Sequence, residues 1–185
     1  MITHDNMESN IVHHCNNRCA SCNHLSTFAP QYFMEPASLE RDLKLLSKLM
    51  QIGYFCLQGG EPLLHPQLLL LMDIVAASGI TKKPGILSNG KLFPAMSDEF
   101  WIKCAEKKFE LRCTIYPNLP VETIELAKSK AAQFGVDYRP WPLNAFYFML
   151  KDYPNGESYV GCPWRECWAV HDGYFFACPI APFMA

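Results

Sequence analysis

The chain has 185 residues, half of them apolar, with 16 Lys and Arg against 18 Asp and Glu for a formal charge of -2. That length suits one domain with a full core and is short for two. The near-neutral balance provides no basic field for nucleic acid or a membrane surface, and the most apolar stretch, "LLLLMDIVAASGI" at 68–80, is broken by Asp73 and falls short of the roughly 20 residues a bilayer requires.

In chain order, "MITHDNMESN" is polar and lacks the basic-then-apolar order of a secretory signal, so the cytoplasm is the expected compartment. "NIVHHC" reads as a first short strand, and "HHCNNRCASCNH" then places Cys15, Cys19 and Cys22 in one loop between histidines. A helix is predicted over 38–52, with Ser38 as its cap and Leu39, Leu43, Leu46, Leu49 and Met50 on one face. "YFCLQGG" is a buried strand ending in glycines, followed by a helix over 66–78 that Gly79 closes. "KPGILSNG" supplies a third strand and turn, 97–107 a helix, and "FELRCTIYP" a fourth strand. A helix over 121–134 stops at Gly135, and "VDYRPWP" is a fifth strand. Repeated strand-then-helix units imply a parallel sheet with right-handed crossovers, at this length an open barrel of five or six strands. From about residue 151 the pattern changes to Pro, Gly, Tyr and Cys, so 10–150 reads as the α/β partial barrel and 151–185 as a small Cys-rich extension.

Parallel sheets put their chemistry at the carboxyl ends of their strands. Cys15, the turn Gly59-Gly60-Glu61-Pro62, the turn Ser88-Asn89-Gly90 and Thr114 all fall at such ends. An odd count of nine cysteines in a reducing compartment argues for metal or catalysis rather than disulfides. Cys56, Cys104 and Cys113, each alone in an apolar or mixed segment, read as buried small hydrophobes. Two metal readings of the first cluster remain open. A structural zinc site takes four ligands, and CxxxCxxC supplies three, with His13, His14 or His24 available as the fourth. A cubic iron-sulfur cluster on three thiolates leaves one iron open for another ligand.

"CNNRCASC" with "QGGEP" resembles the paired CxxxCxxC and GGEP motifs of radical S-adenosylmethionine enzymes, over roughly residues 10 to 142; one departure is Ser21, where the family often has an aromatic residue. The resemblance implies a 4Fe-4S cluster on Cys15, Cys19 and Cys22 whose open iron takes the amino and carboxylate groups of S-adenosylmethionine. Gly59 and Gly60, with Glu61 and Pro62, would receive the methionine ammonium group, and Ser88, Asn89 and Thr114 are candidates for ribose or carboxylate hydrogen bonds. For Ser88 and Asn89 a simple type I' turn is the alternative. The implied activity is reductive cleavage to a 5'-deoxyadenosyl radical that abstracts hydrogen from a substrate, with a flavodoxin- or ferredoxin-type electron donor.

"GCPWRECWAVHDGYFFACP" resembles the start of the SPASM or shorter twitch extension of that family, which implies an auxiliary iron-sulfur cluster on Cys162, Cys167 and Cys178, with His171-Asp172-Gly173 as a hairpin turn. A zinc knuckle or packed thiols is the alternative. Arg139 and Trp141 on strand five and Arg165 in the tail, with Asn144, Tyr147 and Trp164 nearby, are candidate substrate contacts, since a guanidinium clamps a phosphate or carboxylate; both arginines also suit surface ion pairs. A small polar metabolite is the expected substrate. A peptide-modifying maturase and a non-catalytic zinc-binding module are the alternatives.

Overall fold

The computed structural model describes residues 1–143, 162 and 167–183. Seven strands form one sheet: β1 (Ile2–Val12), β2 (Met50–Gly59), β3 (Pro84–Ser88), β4 (Glu110–Ile115), β5 (Tyr138–Pro142), β6 (Trp168–His171) and β7 (Tyr174–Phe176). Their spatial order is β5-β4-β3-β2-β1-β6-β7, and every neighbouring pair is parallel except the β6–β7 hairpin. The intervening helices are α1 (Pro36–Leu46), α2 (Leu68–Ser78), α3 (Asp98–Glu106) and α4 (Val121–Phe134). Consecutive helices touch one another along one face of the sheet, the arrangement that repeated crossovers of one hand produce. Among the described residues no helix is long and apolar enough to cross a membrane.

The strand alternation separates two faces. Met7, Ile11, Phe55, Leu57, Ile86 and Leu111 point into the core with the helices, where Phe100 and Trp101 are fully buried. Cys56, Cys104 and Cys113 are buried, as expected of lone thiols in such segments. On the face turned away from the helices the register sets Glu8 beside Cys56 and Asn10 beside Gln58. Gly85 lies next in the row, and a Cβ there would meet the Tyr54 hydroxyl at 2.0 Å. Arg112 of β4 stacks over the Tyr54 ring, 3.7 Å from its centroid, so a polar row crosses four strands.

Two element boundaries differ from the sequence expectation. The first strand begins at Ile2 rather than near Asn10, because it is central and pairs along its length with β2 and then with β6. The first helix covers Pro36–Leu46 rather than 38–52, with Glu35, not Ser38, at its N-cap and Pro36 in its first turn. Met50 is drawn into β2 by pairing with Ile2, and Leu49 is exposed in the turn between. Gly79 and Gly135 end α2 and α4 in the left-handed conformation (φ 69 and 72), as their positions predict.

The tail joins the sheet. Asp172 and Gly173, both at positive φ (45 and 84), turn the β6–β7 hairpin, and His4 stacks on Trp168 at 3.5 Å. Tyr32 donates to Asp172 Oδ2 at 2.6 Å, the Gly173 N–H donates to Asp42 at 2.8 Å, and the Asn10 amide donates to the Pro179 carbonyl at 3.1 Å. Phe55, fully buried on β2, lies at the middle of the core. Phe55→Ala is expected to lower the unfolding free energy by about 3–5 kcal/mol in urea titration.

Candidate active site

The cysteine loop leaves β1 at Val12 and passes over the carboxyl end of the sheet. It returns at Phe33, which bridges back to Val12. Its seat is set by the end of β2. The Gly60 N–H donates to the Val12 carbonyl at 2.6 Å, and the Glu61 N–H to the His14 carbonyl at 3.1 Å. A Cβ on Gly60 would lie 1.9 Å from the His14 oxygen, and one on Gly59 (φ 131) 2.2 Å from the Val12 oxygen. The glycines thus admit the backbone of β1, a requirement separate from the ligand approach expected of them.

Glu61 is fully buried and turned inward. Its Oε1 accepts from Ser88 Oγ at 2.8 Å and from the Leu63 N–H at 3.1 Å, and its Oε2 from the Asn89 N–H at 2.9 Å. Pro62, also buried, opens the short 3-10 turn Pro62–Leu64. Glu61 therefore braces β2 against β3. Burial pushes its carboxyl up to about 7 against the pull of those three donors.

The turn after β3 is built by side chains rather than as a type I' turn: the Gly90 N–H donates to Ser88 Oγ, the Lys91 N–H to Asn89 Oδ1, and of these residues Gly90 alone has positive φ. Asn89 reaches into the cysteine loop, donating to Asn16 Oδ1 at 2.7 Å and to Cys15 Sγ at 3.5 Å. The Asn17 N–H adds a second bond to the same sulfur at 3.3 Å. Burial raises the Cys15 thiol to about 11, and these two donors oppose it.

Cys19 is likewise raised by burial, with Cys22 adding to the rise and a Tyr116 hydrogen bond lowering it. Cys22 acts on Cys15 in the same sense. The three thiols are half-buried on one loop, Cys22 acts electrostatically on the other two, and N–H and O–H donors meet two of them. Three soft donors on one loop suit an iron-sulfur cluster. Among the described residues no three His, Cys, Asp or Glu side chains are already closed around a single-ion position. A cavity of about 200 Å³ lies between loop residues 17–20 and residues 116–118 after β4.

The remaining sequence candidates separate. Thr114 is half-buried and in register with Trp141, which is 39% exposed on the edge strand β5. Arg139 is exposed and ion-paired with Asp137 at 2.6 Å, the surface alternative weighed for it. Arg165, Trp164, Asn144 and Tyr147 lie outside the described residues. Cys162 is half-buried, Cys178 is exposed, and Cys167 donates to Glu8 Oε2 at 3.1 Å.

Sequence reasoning missed Glu8, Gln58 and Arg112. Glu8 is buried beside His24, whose Nε2 lies 3.4 Å from Glu8 Oε1 and 3.2 Å from Gln58 Nε2. Glu8 lies within a mostly polar stretch before Ile11 and Val12, and polar residues near a chain start read as solvent-facing.

No family model matches the chain. Over 107 residues it is 31% identical to the GTP 3',8-cyclase of Trichodesmium erythraeum, a match covering 55% of this chain and 32% of that protein. The chain thus spans about a third of the length of the curated relative it matches. Among solved structures, BtrN in complex with AdoMet and 2-DOIA aligns with a TM-score of 0.67 at 16% identity, over 95% of this chain and 73% of BtrN. The fold is the one that BtrN carries. Native anSMEcpe with bound AdoMet gives 0.61 at 15% identity, over 90% of this chain and 51% of that one. The structural likenesses show a shared fold.

Two measurements test the brace. Gly60→Ala is expected to cost at least about 2 kcal/mol, because its Cβ meets backbone, whereas Gly79→Ala, with open space but positive φ, costs about 1 kcal/mol; urea titration separates them. The fold holds the Glu61 proton up to about pH 7, while an unfolded chain releases it near the ordinary value of 4.5. Stability is therefore expected to fall as pH rises between those values, and Glu61→Gln to flatten that slope in melts at pH 5 and pH 8.

Proposed function

We propose that this protein is a radical S-adenosylmethionine enzyme that acts on a small polar metabolite. The observation that carries this reading is the seating of the loop that bears Cys15, Cys19 and Cys22 on the Gly59–Pro62 turn, through the Val12 and His14 carbonyls, at the carboxyl end of a parallel sheet of the kind BtrN carries. When bound on these thiolates, a 4Fe-4S cluster supplies the electron that cleaves S-adenosylmethionine reductively to a 5'-deoxyadenosyl radical for hydrogen abstraction.

This chain's residues bind, orient and exclude. Asn89 and the Asn17 N–H steady the Cys15 sulfur and favour its thiolate. Gly59 and Gly60 admit the β1 backbone and keep the loop against the strand end, beside which the methionine end of S-adenosylmethionine would sit. Ser88 and Thr114 remain candidates for its ribose or carboxylate, while Glu61 holds the rim together. The polar groups Gln58, Tyr54 and Arg112 suit a polar substrate, which supports a small metabolite. Arg112, stacked and half-buried, is better placed on that row than exposed Arg139. Cys162, Cys167 and Cys178 would hold an auxiliary iron-sulfur cluster, and a flavodoxin- or ferredoxin-type protein would deliver the electron.

The test is anaerobic purification with iron and sulfide analysis, then incubation with dithionite and S-adenosylmethionine while 5'-deoxyadenosine is assayed. The wild-type protein is expected to be coloured and to form 5'-deoxyadenosine. Replacing Cys15, Cys19 and Cys22 together by Ala is expected to remove about four irons per chain and abolish that product. A colourless protein that holds zinc and makes no 5'-deoxyadenosine after reconstitution would overturn the reading.

A further inference from the structure

Glu8 is 5% exposed on the interior strand β1, yet its two oxygens have poor partners. Oε1 faces His24 Nε2 at 3.4 Å, and the Gln58 amide nitrogen approaches the same ring nitrogen at 3.2 Å. One ring nitrogen cannot donate to a carboxylate and accept from an amide in the same tautomer. Oε2 is met by the Cys167 thiol at 3.1 Å, and a thiol is a weak donor for a buried carboxylate. A thiolate and a carboxylate in contact repel each other, and a metal cation shared between them converts that repulsion into attraction.

We propose that Glu8 is the fourth protein ligand, beside Cys162, Cys167 and Cys178, of the auxiliary iron-sulfur centre, giving it one carboxylate-bound iron. The proposal rests on the reading of those cysteines as a cluster site. It draws on a contact between residues 159 apart in sequence, so the centre would fasten β6 to β1 through a metal as well as through backbone pairing. Cys56 lies on the same face and is the competing ligand. Its thiol is already engaged, donating to the Leu57 carbonyl at 3.7 Å and receiving the Tyr54 hydroxyl at 3.8 Å.

The test uses the full chain with Cys15, Cys19 and Cys22 changed to Ala, so that any cluster reports the C-terminal site alone. After anaerobic reconstitution with iron and sulfide, this parent is expected to hold about four irons per chain. Glu8→Gln, which keeps the volume and removes the anionic oxygen, is expected to bring iron below about one per chain. Glu8→Cys is expected to restore it with a shifted electron paramagnetic resonance signal of the reduced cluster, and Cys56→Ala to change neither. Equal iron and an identical spectrum in parent and Glu8→Gln would overturn the Glu8 assignment and leave the auxiliary cluster standing. Iron loss in Glu8→Gln that Glu8→Cys does not restore, in proteins with native circular dichroism, would also overturn it. A parent that takes up no iron sinks the auxiliary-cluster reading, and the proposal with it.

Discussion

The peptide of Gly60 lies against the carbonyls of Val12 and His14, and the arrangement of the candidate site depends on that contact. The contact joins the ends of the neighbouring interior strands β1 and β2 and sets the direction in which the cysteine loop departs. Any side chain at Gly60 would push that loop off the sheet. The packing thus makes the glycine pair of the GGEP sequence a condition of where the thiols stand.

The second constraint is the carboxylate of Glu61. Three donors from two segments converge on it, so β2 and the turn after β3 behave as one piece. Asn89 carries the connection onward, since its backbone N–H is bound to Glu61 and its side-chain amide to Asn16 and Cys15. A buried acid, an amide and a thiol thus form a continuous chain of polar contacts along the carboxyl edge. Such a network holds the cysteine loop through directed bonds as well as through backbone pairing.

The hairpin β6–β7 is tied into the same body. Its turn is held by Tyr32 from the cysteine loop and by Asp42 from α1, and its first strand pairs with β1. The first cysteine loop and the C-terminal cysteines therefore share β1 as their common support, with Glu8 facing His24 on one side and Cys167 on the other. Arg139 shows the opposite case, because a guanidinium that looked available in sequence is paired at the surface.

Much of this was legible in the linear chain. Hydrophobic periodicity and helix-stopping glycines located the helices and strands of the β/α repeats, because those signals are local and recur at fixed spacing. The cysteine spacing and the GGEP turn marked the candidate site for the same reason, since residues on one loop are near one another by connectivity alone. The length of β1 was not legible, because its first residues are polar and largely exposed and its later polar residues, Glu8, Ser9 and Asn10, are buried by partners far along the chain. For the same reason the sequence could not place Glu8 beside Cys167 or Arg112 over Tyr54. The sequence by itself determined the parallel fold and the three-thiol loop. Tertiary structure alone decided which polar side chains meet, because strand register and the return of the tail to β1 are set by the packing of the whole sheet.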